Sequence, residues 1–120
     1  MEDTNGQRGE NSEKTAKAIR DLDELVKAIL TSLPATKPWQ RQLRQYLLDI
    51  DKQLQILRMT ISMGRTAEEV AASASELRKV LRVAQRYVAV GRADLGTKAA
   101  IEFGCELGQR IATALAAQGV

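Results

Sequence analysis

The chain has 120 residues, 18 Lys/Arg against 15 Asp/Glu, and no histidine. The missing histidine removes the commonest general acid/base, the usual partner of a nucleophilic Ser or Cys, and the commonest zinc ligand. With Cys105 as its one cysteine the chain can form neither an intrachain disulfide nor a structural zinc site, so no metal or cofactor is expected.

Residues 1–12 (MEDTNGQRGENS) carry no large side chain after Met1 and read as a disordered polar tail. A helical pattern follows over about 13–32, in which Ile19, Leu22, Val26, Ile29 and Leu33 recur at alternating spacings and form one stripe. Ser12 or Thr15 is the candidate cap. Pro34 and Pro38 interrupt the pattern, and Pro38 suits the first turn of a second helix over about 38–62. Its seam is Leu43, Leu47, Ile50, Leu54, Leu57 and Ile61, and Gly64 is placed to take a left-handed closing conformation.

Thr66-Ala67-Glu68-Glu69 is a capping-box sequence that opens a third helix over about 67–90. Its seam runs through Ala67, Val70, Ala74, Leu77, Leu81, Ala84 and Val88. A second apolar stripe, Val80, Val83, Tyr87 and Val90, implies contact with two neighbours, either within one chain or between two copies. Asp94 caps a fourth helix over about 95–117. There Ala100, Gly104, Gly108, Ala112 and Ala116 place a small residue at every fourth position. Interior glycine costs about 1 kcal/mol relative to alanine, and close approach of another helix is the usual reason for it. With Leu107 and Ile111 beside it, this face is either an intramolecular seam or the interface of a homodimer.

The fold expected is therefore all-α: one helical domain over 13–120, arranged as a four-helix antiparallel bundle or as paired helical hairpins. No apolar run approaches the roughly 20 residues of a membrane span, and the N-terminus lacks a signal-peptide pattern, so a cytoplasmic or nuclear protein without membrane contact is expected.

Charge is unevenly distributed. Residues 1–33 sum to −2, 34–65 to +4, 66–93 to +2 and 94–120 to −1. In the third helix the acids Glu68, Glu69 and Glu76 come first, followed by Arg78, Lys79, Arg82 and Arg86, with Arg92 just beyond. Arg78, Arg82 and Arg86 recur every fourth residue, and with Lys79 they cover a sector about 100° wide. Arg41 and Arg44 add positive charge near the start of the second helix. A guanidinium fork suits phosphate.

A basic row of this kind is either a solvated face paired with Asp21, Asp23 and Glu24 of the first helix, or a phosphate-contacting surface. Exposed ion pairs contribute only about 0–1 kcal/mol, so stability alone does not account for the row. The scarcity of aromatic residues argues against stacking on single strands, which leaves recognition of backbone and shape, as in double-stranded RNA. The sequence contains no phosphate-cradling glycine loop, nucleophile elbow or paired acid–histidine arrangement, and a catalytic role is not expected. A non-catalytic RNA-binding homodimer is the leading expectation. A helical protein–protein interaction module or scaffold, docking a partner helix, is its rival.

Overall fold

The computed structural model describes the backbone of residues 2–118 and the side chains of residues 12–117. Among these residues there are four α-helices and no strand: α1 (Glu2–Ser32), α2 (Pro38–Ser62), α3 (Ala67–Val90) and α4 (Leu95–Gln118). The last three match the bounds expected from periodicity and helix-end signals. The first extends further back. Helix α1 starts at Glu2, within the segment read as a polar tail, of which only Ser12 has a described side chain, so Ser12 and Thr15 are interior positions and not caps. Once tertiary packing has nucleated a helix, adding turns at its end costs little, and side-chain periodicity does not reveal such an extension.

Each helix packs on its neighbours in sequence, and α4 closes back on α1. The diagonal pairs α1/α3 and α2/α4 bring no backbones close together and meet only through side chains in the core. Short connections and this contact order define an up-down bundle, 55 × 23 × 22 Å in extent. Its core holds the stripes read from the sequence, with Leu22, Leu43, Leu47, Ile50, Leu54, Leu57 and Leu77 fully buried. Ile61, expected to continue the α2 seam, is 42% exposed because the core thins towards that end.

The helix ends show how local chemistry sets the boundaries. At the α2 terminus the Gly64 N–H donates to Ile61 O (3.0 Å) and the Arg65 N–H to Thr60 O (3.2 Å). Gly64 takes φ +67°, a conformation that costs a residue with a β-carbon roughly 1 kcal/mol. Thr66 then caps α3 by accepting from the Glu69 N–H at 3.1 Å. The Glu69 carboxylate lies 3.9 Å from Arg65. Asp94 caps α4, accepting from the Thr97 N–H (3.1 Å) and the Thr97 hydroxyl (2.7 Å), and these bonds hold its carboxyl below the ordinary range.

The α1–α2 connection depends on a residue that periodicity does not identify. Gln40 is buried, and its Oε1 accepts from the backbone N–H groups of Thr36 (3.1 Å) and Lys37 (2.9 Å) and from the Thr36 hydroxyl (3.1 Å). One amide oxygen thus organises the turn that starts α2.

Candidate nucleic-acid interface

Helix α3 sits between α2 and α4 and presents a different chemistry to each. Towards α2 it sends its second apolar stripe. Tyr87 packs edge-on against Tyr46, with ring centroids 5.2 Å apart at 71°, and its hydroxyl donates to Trp39 O at 3.4 Å. Val80 and Tyr87 join the core, whereas Val83 and Val90 stay exposed. The intramolecular reading of this stripe accounts for its inner half.

Towards α4 it sends arginine. Arg78 and Arg82 line a groove of about 480 Å³ whose other wall is α4, including Glu102, Cys105, Glu106 and Arg110. Arg78 is half-buried, with its Nε enclosed and without a hydrogen-bond partner, so its stem is committed to the groove. Arg82, Arg86 and Arg92 are exposed. None of these four arginines makes an ion pair among the described residues. Lys79 does, with Glu76 at 3.0 Å, though both groups remain more than half exposed.

The acids of α1 do not neutralise this row. Helix α1 is diagonal to α3; Asp21 pairs with Lys17 (2.7 Å), and Asp23 with Lys27 (2.9 Å) and Arg58 (3.3 Å). Two acids of α4 stand beside Arg78 and Arg82 instead. Glu102 and Glu106 share the groove with Arg78 and Arg82 and make it mixed in sign, and Arg86 is not among the residues lining it.

Arg41 and Arg44, expected in the same basic surface, are placed elsewhere. The Arg44 Nη1 donates to Leu30 O (3.0 Å) near the α1 terminus, and the Arg41 Nη1 donates to Thr36 O (2.9 Å) and Ala35 O (3.4 Å). Cations at a helix C-terminus satisfy carbonyls that lack intrahelical partners. Arg44 therefore faces the α1/α2 side of the bundle, opposite the α3/α4 groove. Sequence reasoning grouped these residues by charge alone, without knowing which neighbour each helix face would meet.

The small-residue face of α4 is also corrected. Gly104 and Gly108 are buried, and a β-carbon on Gly104 would meet Leu22 and Leu25 of α1 and Leu81 of α3 at 3.5–3.7 Å. Leu107 and Ile111 are fully covered and Ala112 packs against the core. These five residues are an intramolecular seam. They cannot serve as a dimer interface without opening the bundle.

Cys105 is half-buried, and its thiol donates to Leu81 O at 3.3 Å. Burial pushes its pKa up, opposed by the charge of Arg82 and reinforced by Glu102. Among the described residues no cluster of Cys, Asp and Glu is placed to hold a metal ion, and no helix is long and apolar enough to cross a membrane. Comparison with known proteins found no matching family model, no similar curated protein and no similar solved structure.

Proposed function

We propose that this protein is a non-catalytic binder of nucleic-acid backbone, docking the α4-facing side of α3 on the phosphates of an RNA duplex. The observation that carries this reading is the row Arg78, Arg82, Arg86 and Arg92, none of them ion-paired among the described residues. A 24-residue helix is about 36 Å long, enough to meet several phosphates along a duplex. Rings give no stacking platform: Tyr46, Tyr87 and Trp39 are packed inward and Phe103 alone of the four is exposed. Glu102 and Glu106 disfavour deep entry of a phosphate into the groove, which favours contacts outside it, at the exposed Arg82 beside the groove and at Arg86 and Arg92 beyond its lining.

The test is fluorescence anisotropy with a labelled RNA duplex at low salt, comparing the wild type with Arg82→Glu/Arg86→Glu. Binding that weakens steeply with salt and is lost in the double variant, with the helical circular dichroism unchanged, supports the reading. Absence of binding by the wild type at low salt overturns it.

One observation favours a second reading. Leu48, Ile56 and Met59 on α2, with Met63 just past its end, form an outward stripe, each 40–61% exposed, a surface suited to a partner helix. Arg82→Glu/Arg86→Glu would leave such an interaction intact.

A further inference from the structure

At the end of the bundle formed by the α2–α3 turn, the helices do not fill the space between them. Upstream of Ile19 the positions of α1 that border the cleft carry the buried Thr15 and the exposed Ala16 and Ser12, while α2 ends at Ser62 and α3 begins at Ala67. Small side chains from three helices meet at one level. Helices α1 and α2 also pack more sparsely than any other neighbouring pair. The result is an open cleft of about 690 Å³, within the ~300–1,000 Å³ common for small-molecule sites.

Its surface is divided by chemistry. Ile19, Val70 and Leu115 supply an apolar floor, and the exposed Ile61 an apolar wall. Arg20, Arg58 and Arg65 stand around it, and no carboxylate is among its described lining residues. Arg58 is shared with Asp23 at 3.3 Å, and Arg65 reaches Glu69 only at 3.9 Å. Arg20 makes no ion pair among the described residues.

From this arrangement we propose that the cleft binds an amphiphile with a single alkyl chain and a carboxylate head. The chain would cover Ile61 and the floor, and the head would meet the Arg20 guanidinium, whose planar fork matches a carboxylate. Burial of an alkyl chain supplies affinity in proportion to the apolar area covered, and a rim whose described charged residues are all arginine selects against a cationic head. The site shares no residue with the α3 arginine row, so either can fail without the other.

The test is titration of the whole chain with decanoate below its micelle concentration, followed by methyl chemical shifts of Ile19, Ile61, Val70 and Leu115. Decanol and decyltrimethylammonium serve as neutral and cationic controls. Saturable decanoate shifts at these methyls, weakened about tenfold or more by Arg20→Glu and abolished by Ala16→Phe, which fills the cleft, would bear the proposal out. Decanol is expected to bind at least about tenfold more weakly, since it has no charge for Arg20 to meet. Absence of saturable shifts overturns it. So does decanoate binding that both variants leave unchanged, or binding of decyltrimethylammonium with equal strength.

Discussion

Leu81 of α3 stands so close to Gly108 of α4 that its δ1 methyl occupies the space a β-carbon at that position would need. The two helices are drawn together at this point, and Leu81 also lies within ordinary contact of where a Gly104 β-carbon would be. The two glycines should therefore respond in opposite directions to the same substitution. Gly104→Ala gains helix propensity with contacts at van der Waals distance and should stabilise by about 0.5–1 kcal/mol. Gly108→Ala gains the same propensity but displaces a side chain that is only 2% exposed, and a net loss of about 1 kcal/mol is expected. Urea midpoints of the two variants check the sign.

Gln40 accepts three hydrogen bonds from the turn before α2. Removing its buried amide takes away the one acceptor that ties the Thr36 and Lys37 donors of the turn to α2. Gln40→Ala should cost roughly 1–3 kcal/mol, while Gln42→Ala, at an exposed site on the same helix, should be near neutral. Thermal unfolding of the pair would measure this.

Asp23 joins α1 to α2. Burial favours its neutral form, but hydrogen bonds from Lys27 and Gln55, with the charges of Lys27 and Arg58, outweigh that and hold its carboxyl below the ordinary 3.8. A carboxylate depressed in the folded state adds stability above its unfolded pKa and loses it as pH falls through the folded value. Asp23→Asn should thus destabilise by about 1–3 kcal/mol at neutral pH, with the difference from wild type shrinking below about pH 4. A constant difference across that range would contradict the assignment.

The Cys105 thiol should react slowly. Burial raises its pKa and its proton is directed at Leu81 O, so its thiolate fraction at mildly alkaline pH is small. Alkylation should be slower in the folded protein than in urea. Arg82→Glu, which removes the charge favouring the thiolate, should slow it further.

On the nucleic-acid reading, arginines of similar charge should behave differently. Arg86→Ala should weaken duplex binding and lower the logarithmic salt slope by about 1, because one phosphate contact is lost. Arg44→Ala should leave the slope unchanged and reduce stability, since its guanidinium is occupied by Leu30 O. Salt titrations of both variants separate the two roles.

The sequence by itself determined the helices and most of their ends. Leucine and isoleucine at alternating spacings of three and four leave little choice of face, and Gly64, Thr66 and Asp94 act through bonds to residues a few positions away. Such interactions are local, so a linear reading captures them. Partner assignment was decided only by the tertiary structure. Arg44 and Arg82 are alike in charge, yet one closes the end of α1 and the other borders a groove with α4, because the bundle sets α1 beside α2 and α3 beside α4. Gly104 and Gly108 signalled close approach correctly, but their spacing carries no mark of whether the approaching helix belongs to the same chain. The volume between elements is likewise a property of packing: the small residues at Ala16, Ser62 and Ala67 become one cleft only when the fold brings them to the same level.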